Sequence, residues 1–284
     1  MQNHFYDTIE RLFQEQGIPA GYREQLRGRI EHVLNYRPRI GLLGKTGAGK
    51  STLCNALFGQ DVSMVSNVVA GTRVPQEIYL EANRNRGMTL VDLPGVGESM
   101  DRDDEYRDLY ARLLPEIDLV LWLIKADDRA LAVDESFYRK LVRPHMEQGK
   151  PLIFVITQVE KMEPMREWDY TTRRPSPTIE KHIEQKRMLV AATFGVSLRN
   201  VVAVSAHEQY QLSTLMDTII HELPAEKRIT VLREAREEIV SESAREETRD
   251  GLWDYIWEGV KMVAPIVLPE AKKLFEKVFS WIGL

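Results

Sequence analysis

Residues 44–51 read Gly-Lys-Thr-Gly-Ala-Gly-Lys-Ser, which is the pattern G-x-x-x-x-G-K-S. An apolar run precedes this stretch at 39–44, and a helical pattern follows it at 50–58. Between a strand and a helix, the glycines let successive backbone N–H groups turn toward the oxygens of a phosphate chain. The start of the helix adds the positive end of its dipole. The stretch therefore predicts a loop that binds the phosphates of a nucleoside triphosphate.

Two side chains of this loop carry predicted chemistry. The ammonium of Lys50 is expected to reach the β- and γ-phosphates, and the hydroxyl of Ser51 is expected to ligate Mg²⁺, which prefers hard oxygen ligands. The predicted nucleotide-binding residues of the loop are Lys45, Thr46, Gly47, Ala48, Gly49, Lys50, Ser51 and Thr52.

Outside the loop, short apolar runs alternate with helical patterns. The predicted strands are 39–44, 76–82, 88–93, 118–124, 151–157 and 200–206, and the predicted helices between them are 50–58, 103–114, 133–147, 177–194 and 210–222. Four of the strands are almost continuous runs of valine, isoleucine and leucine, as expected when helices cover both faces of a sheet. The pattern predicts an α/β domain with a mostly parallel sheet of six strands and helices on both faces.

Helical patterns flank this domain at both ends of the chain. We expect an N-terminal helical segment at 1–37, the α/β domain at 38–224 and a C-terminal helical segment at 225–284. The last segment begins with a charged helix over 225–250 that runs into Gly251. The terminal helices are expected to pack on each other, because each amphipathic segment needs a partner. Their polar faces mix acids with lysines, whereas helices at a membrane surface prefer basic ones. The alternative is that residues 252–284 lie in a membrane interface.

The composition is that of a folded protein without a basic bias. Of the 284 residues, 43% are hydrophobic and 29% are charged, and the net charge is −5. These values exclude wholesale disorder and a global basic field that would attract DNA. The single cysteine, Cys54, excludes an intrachain disulfide and a zinc site built on several cysteines. The N-terminal residues lack the pattern of a secretory signal, so a cytoplasmic protein is expected.

A second motif, Asp92-Leu93-Pro94-Gly95, ends the predicted strand at 88–93. An aspartate there can hold the Mg²⁺ shell, and the N–H of Gly95 can meet the γ-phosphate and act as a switch. Between the two motifs, Thr72 is the candidate for a switch threonine that completes the Mg²⁺ shell, in competition with Ser63 and Ser66. The predicted metal ligands are Ser51, Thr72 and Asp92, and the predicted catalytic residues are Lys50, Thr72 and Gly95.

The order of these motifs, followed by Thr-Gln-Val-Glu at 157–160 and Val-Ser-Ala at 204–206, resembles the Era-like branch of the translation-factor-related P-loop GTPases. Within that branch, it is similar to a group of small GTP-binding proteins of enteric bacteria. The resemblance covers about 38–224. It implies a P-loop NTPase G domain that binds GTP or GDP with Mg²⁺ and hydrolyses GTP as a nucleotide-controlled switch.

The motif that reads guanine departs from the pattern of the family, which is usually N-K-x-D. Thr157, Gln158 and Glu160 stand at the matching positions. Glu160 offers the same carboxylate as aspartate on a longer stem, while Gln158 lacks the lysine stem that packs over the base. The resemblance assigns the base oxygen to a backbone N–H of Ser205-Ala206. The sequence of this motif therefore leaves open whether the site selects guanine over other bases.

The catalytic position after Gly95 also departs from many regulatory GTPases, because Val96 stands where they place a water-orienting glutamine. Slow intrinsic hydrolysis is expected. The position of the potassium-binding asparagine of some relatives is Gly47 here, so no potassium activation by that route is expected. Compensation could come from Arg73, from Arg129 or from a homodimer of G domains.

Two alternatives to a slow GTPase switch stay open at this point. One is a nucleotide-gated interaction module with negligible hydrolysis. The other is a dimerising or membrane-associated GTPase that acts through its terminal helices. The sequence identifies no effector.

Overall fold

The computed structural model describes residues 10–11, 13–14, 18–59, 76–83, 86–93 and 103–258. Several predicted functional residues lie outside the described residues: Ser63, Ser66, Thr72, Arg73, Gly95 and Val96. Residues 259–284 of the predicted C-terminal segment lie outside them as well.

The predicted sheet of six strands is confirmed. Its strands are β1 (Arg39–Leu43), β2 (Gln76–Asn83), β3 (Arg86–Asp92), β4 (Leu119–Lys125), β5 (Leu152–Thr157) and β8 (Val201–Ala203). Their order in space is β2-β3-β1-β4-β5-β8, and β2 is the one antiparallel member. A separate two-stranded hairpin, β6 (Trp168–Asp169) and β7 (Arg174–Pro175), follows β5 in the chain.

Nine α-helices are named in the described part of the chain. They are α1 (Ala20–Asn35), α2 (Lys50–Phe58), α3 (Asp103–Leu113), α4 (Ala132–Phe137), α5 (Arg143–Met146), α6 (Pro177–Phe194), α7 (Leu212–Glu222), α8 (Ala225–Glu234) and α9 (Glu242–Glu258). A π-helical turn, Tyr138–Val142, interrupts the single helix predicted at 133–147. Pro144 at the start of α5 has no N–H to donate to the preceding turn, which disfavours a continuous α-helix there.

Two apolar cores lie on opposite faces of the sheet. Successive residues of β4 point to opposite faces, so Leu121 belongs to one core and Trp122 to the other. The first core contains Leu53 of α2 and Leu215 of α7. The second contains Phe194 of α6, whose ring packs against the indole of Trp122. Coverage on both faces explains why the strand sequences are almost continuously apolar.

A third apolar cluster joins the two ends of the described chain. Leu26 and Ile30 of α1 are buried with Ile229 of α8 and with Leu252 and Ile256 of α9. The division of the chain into three segments stays a prediction. Among the described residues, no helix is long and apolar enough to cross a membrane.

The helix predicted over 225–250 is wrong in its continuity and in its end. The chain leaves α8 at Ala235, and α9 begins only at Glu242, where the Ser241 hydroxyl accepts a hydrogen bond from the N–H of Ala244 (3.0 Å). Gly251 lies inside α9 instead of ending a helix. A Cβ at Gly251 would be 3.1 Å from the Cβ of Ala225, so the glycine lets α8 and α9 approach closely.

A buried carboxylate ties these helices to the sheet. Asp118, which is 6% exposed at the start of β4, accepts hydrogen bonds from the Tyr36 hydroxyl (2.7 Å), the Arg39 N–H (2.8 Å) and the Lys227 ammonium (2.7 Å). The residues come from the end of α1, the start of β1 and the first turn of α8. We call this set the Asp118 hub.

Candidate nucleotide-binding site

The predicted site residues meet at one edge of the sheet, where the parallel strands have their carboxyl ends. The phosphate-binding loop connects β1 to α2, Asp92 ends β3, and Thr157 ends β5. Ligands of open α/β sheets bind at this edge, because the loops that follow the strands form a crevice there.

The backbone of the phosphate-binding loop requires glycine at particular positions. Gly44, Gly47 and Gly49 have φ angles of 145°, 79° and 87°. A Cβ at Gly44 would stand 2.6 Å from the carbonyl oxygen of Leu123, which is a backbone clash that no side-chain movement can relieve. The glycines of the motif therefore reflect both backbone conformation and close approach to β4.

Side chains from the end of β5 hold the carbonyl groups of this loop. The hydroxyl of Thr157 donates to the carbonyl of Ala48 (2.8 Å), and the amide of Gln158 donates to the carbonyl of Gly47 (2.9 Å). In a planar trans peptide, the N–H of the next residue points the opposite way from the carbonyl. The carbonyl of Ala48, held toward β5, therefore turns the N–H of Gly49 away from β5, as phosphate binding requires. The N–H of Ala48 donates to the carbonyl of Lys45 within the loop (3.0 Å).

At the phosphate end of the site, Lys50 and Asp92 face each other. The Lys50 ammonium donates to the carbonyl of Gly44 (2.9 Å) and lies 3.5 Å from Oδ1 of Asp92. Burial raises the pKa of Asp92, and the charge of Lys50 opposes that shift. Among the described residues, Oδ1 of Asp92 is buried without a hydrogen bond. A buried acceptor in this state suits a hard cation, so the site fits Mg²⁺ with Ser51, in the first turn of α2, as a second ligand.

At the base end of the predicted site, Glu160 is buried, and one of its oxygens has no hydrogen-bond partner among the described residues. Its side chain lies in a short 3₁₀ turn, Val159–Lys161, and the residue is 8% exposed. Oε2 of Glu160 makes no hydrogen bond within the described part of the chain. An ionised carboxylate in this state is costly, and two N–H donors from a ligand would relieve the cost.

Gln158 occupies the place of the family's lysine and makes a different connection. The residue has a left-handed backbone, with φ of 59°. Besides holding Gly47, its side chain accepts a hydrogen bond from the ammonium of Lys161 (2.8 Å). The sequence prediction missed Lys161, although its spacing of three residues from Gln158 in a turn is a usable signal. The hydrogen bond between Gln158 and Lys161 places the ammonium of Lys161 beside this motif, where the family has the ammonium of its own lysine.

The Ser205-Ala206 motif forms a tight turn. Ser205 is fully buried, and its N–H donates to the carbonyl of Tyr210 (3.2 Å). Its hydroxyl accepts from the N–H of Glu208 (3.0 Å), which closes a turn and does not cap a helix, since α7 begins only at Leu212. The Ser205 N–H is therefore engaged within the turn, and the predicted contact with the base oxygen falls to the N–H of Ala206.

The side chain of Lys45 contacts the segment that follows β4. Its ammonium contacts Asp128 and Asp134, which the sequence prediction missed. Thr46 and Thr52 are exposed, and Arg129 is exposed on the loop that follows β4. Thr72 and Gly95, which complete the predicted catalytic set, lie outside the described residues.

A comparison with protein families matches roughly the first two thirds of the domain predicted at 38–224. A family described as "50S ribosome-binding GTPase" matches residues 39–158. These residues span the phosphate-binding loop, Asp92 and the beginning of the base motif.

The chain is also similar to several individual proteins. An uncharacterized protein of Escherichia coli K12, YfjP, is 42% identical over 234 residues, which are 82% of this chain and 79% of that protein. GTPase Era of Aquifex aeolicus is 28% identical over 222 residues, covering 74% of this chain and 67% of Era. A crystal structure of Aquifex aeolicus Era bound to GDP and AlF4⁻ matches with 25% identity and a TM-score of 0.47. That match covers 66% of this chain and 56% of the solved chain.

Proposed function

Because the chain belongs to the Era-like family of P-loop GTPases, we propose that it is a Mg²⁺-dependent GTP-binding switch with slow intrinsic hydrolysis. The observation that carries the guanine assignment is the buried, unpartnered carboxylate of Glu160. Guanine offers N1–H and an N2 amino group on one edge, and this pair of donors matches a carboxylate. Adenine has no such pair, so it would leave the buried carboxylate unsatisfied.

The phosphate end of the site is proposed to bind in three parts. Backbone N–H groups of residues 45–52 surround the β-phosphate, and the Lys50 ammonium lies between the β- and γ-phosphates. Ser51 and Asp92 hold Mg²⁺, directly or through water, and Thr72 completes the shell. When bound, Mg²⁺ neutralises the charge that develops on the phosphate oxygens.

The switch itself is proposed to involve Thr72 and Gly95. The Gly95 N–H meets the γ-phosphate in the GTP state and loses that contact after hydrolysis, so the segments around it differ between the two states. Val96 offers no group that could orient the attacking water. Hydrolysis by one molecule alone is therefore slow, and a homodimer of G domains or another partner could accelerate it.

The test is a competition assay in Mg²⁺ with fluorescent mant-GDP as the probe. GTP and GDP should displace the probe at least about a hundredfold better than ATP, and Glu160→Gln should remove that preference, which corresponds to about 3 kcal/mol. Glu163→Gln is the matched control, because Glu163 is exposed and lies on the same loop.

Two outcomes of this assay are informative, and a third outcome comes from a separate measurement of phosphate release. Equal competition by ATP would overturn the guanine assignment. Loss of preference in Glu163→Gln as well would show that the variants act by disturbing the loop. Tight GTP binding without phosphate release, measured over a range of protein concentrations, would favour an interaction module with negligible hydrolysis.

A further inference from the structure

We propose that the side chain of Lys45 has a positioning role: its ammonium fixes the phosphate-binding loop to the segment after β4 and does not contact phosphate. The inference rests on the proposed function, since it concerns how the nucleotide site is held. Lys45 is the second residue of the motif, where a lysine would otherwise be taken as one more phosphate ligand.

The Lys45 ammonium has three acceptors. It donates to Oδ2 of Asp128 (2.8 Å) and to the carbonyl of Ala130 (2.9 Å), and it lies 2.7 Å from Oδ2 of Asp134. An ammonium carries three N–H donors. Two of them are donated in these hydrogen bonds, and the ammonium also forms the ion pair with Asp134, so turning the side chain toward a phosphate would break at least one of these contacts.

Asp134 makes a rotation of the Lys45 side chain toward a phosphate unfavourable. It lies in the first turn of α4 and is 2% exposed, and among the described residues its Oδ2 has no hydrogen bond beyond the ion pair with Lys45. A charge this buried needs a cation beside it. Without the Lys45 ammonium, the buried carboxylate of Asp134 would have lost its neighbouring cation. Burial of Asp134 therefore favours the conformation in which Lys45 stays beside it.

The segment that receives Lys45 is itself fixed. The Asp128 side chain accepts a hydrogen bond from the N–H of Ala130 (2.9 Å), which closes a tight turn. Its backbone carbonyl accepts from the ammonium of Lys186, a largely buried residue of α6. Asp128 therefore links three elements: the phosphate-binding loop, the segment after β4, and α6.

The charges support a pair that is ionised at neutral pH. Burial by itself lowers the pKa of Lys45, but its bonds to Asp128 and Asp134 outweigh burial and raise it. Burial works in the opposite direction on Asp128, and the bond from Lys45 overcomes it and lowers the pKa of that carboxyl.

The phosphate-binding loop is thus held from two neighbouring strands. Thr157 and Gln158 hold it from the end of β5, and Lys45 holds it from the end of β4. Without Lys45, one side of the loop loses its support, and the N–H groups no longer keep the spacing that phosphates need. A positioning role predicts an equal loss of affinity for GTP and GDP, whereas a phosphate ligand should affect GTP more.

The test is a double-mutant cycle with Lys45→Met, Asp134→Asn and the double variant, each titrated with mant-GDP and mant-GTP. Each single change should weaken both nucleotides about tenfold. The double variant should lose no more than the worse single, because both changes break the same contact. Lys45→Arg, which keeps the charge and several donors, should retain most of the affinity.

The control is Lys227→Met. Lys227 pairs with the buried carboxylate of Asp118 at 2.7 Å, at the other end of β4 from the phosphate-binding loop. It should lower the thermal midpoint as Lys45→Met does, yet leave the Kd for GDP unchanged. Weakened GDP binding in Lys227→Met would show a general stability effect and overturn the proposal. Normal binding by Asp134→Asn, or additive losses in the double variant, would also overturn it.

Lys50→Ala separates this inference from the proposed function. If Lys50→Ala abolishes nucleotide binding while the Lys45 and Asp134 variants bind normally, the positioning role is wrong and the GTPase assignment stands. If Lys50→Ala also binds normally in a folded protein, the nucleotide site itself is misassigned.

Discussion

The side chain of Asp92, at the end of β3, is 26% exposed, and its buried Oδ1 lies 3.5 Å from the Lys50 ammonium. Burial raises its pKa above the ordinary value of 3.8, against the opposing charge of Lys50. A carboxyl whose folded pKa is raised stabilises the fold below pH 3.8, and this contribution is lost as pH rises through the folded pKa. At neutral pH, the ionised Asp92 therefore costs stability in the nucleotide-free protein.

Asp92→Asn should accordingly raise the thermal midpoint of the nucleotide-free protein at pH 7, because it removes a buried charge. The same change should abolish the difference between GTP affinities measured in Mg²⁺ and in EDTA. The gain in midpoint should shrink as the pH falls through the raised pKa, where the native carboxyl becomes neutral. A midpoint that falls at pH 7 would contradict this account of Asp92.

At the scale of single elements, the contact between α8 and α9 depends on Gly251. Its Cβ would meet a guanidinium nitrogen of Arg228 at 2.9 Å and the Cβ of Ala225 at 3.1 Å. Gly251→Leu should lower the free energy of unfolding by about 1–3 kcal/mol, because the helices must separate. Urea denaturation measures the change.

Gly28→Ala is the matched control for this contact. Gly28 lies within α1, and a Cβ there would have nothing within 4 Å. Alanine should raise the free energy of unfolding by about 0.5–1 kcal/mol through helix propensity alone. Equal destabilisation by both variants would argue against close packing at Gly251.

The elements also mark how far the sequence could predict the structure. The six strands were predictable because burial on both faces leaves almost no polar residues in β4 and β5. The bounds of α6 were predictable because Ser176 caps its start and Gly195 ends it. The π-helical turn and the short hairpin β6–β7 were not, since hydrophobic periodicity does not report local backbone hydrogen bonding.

The candidate site also has parts that the sequence predicts and parts that it does not. The phosphate-binding loop and Asp92 could be predicted from spacing, because backbone geometry ties glycine and carboxylate to fixed positions in the motif. Their roles stay predictions. The contact between Lys45 and Asp128 could not be foreseen, because it joins residues 83 positions apart and depends on the side-chain direction. The hydrogen bonds of Gln158 with Gly47 and Lys161 also depend on the direction of the side chain, so the sequence did not predict them.

At the scale of the whole molecule, the Asp118 hub joins the terminal helices to the sheet. Removing a buried charged partner leaves the others unsatisfied, so Asp118→Asn should lower the free energy of unfolding by about 3 kcal/mol. Glu31→Gln, which breaks the exposed pair of Arg27 and Glu31, should change it by less than about 0.5 kcal/mol.

The hub also predicts a response to alkaline pH. Burial, with the bond to Asp118, raises the pKa of Tyr36; the bonds to Asp118 and Tyr36 overcome burial and raise the pKa of Lys227. Both folded values lie above the unfolded ones, so the stability they contribute is lost as pH rises beyond about 10. Thermal midpoints measured across this range should fall more steeply in the native protein than in Asp118→Asn. Parallel slopes would contradict the assignment.

The cluster that joins α1 to α8 and α9 also determines when α1 is covered during synthesis of the chain. Phe13 and Ile18 of this cluster precede α1 in the chain, but its partners in α8 and α9 are made roughly 200 residues after it, and a ribosome adds about 5–20 residues per second. The face of α1 that carries Leu26 and Ile30 therefore waits on the order of 10–40 s for its partners, while the sheet between them is already synthesised. The first described helix to be made is among the last to be covered. A nascent chain that stops before Ala225 leaves that face open to chaperones.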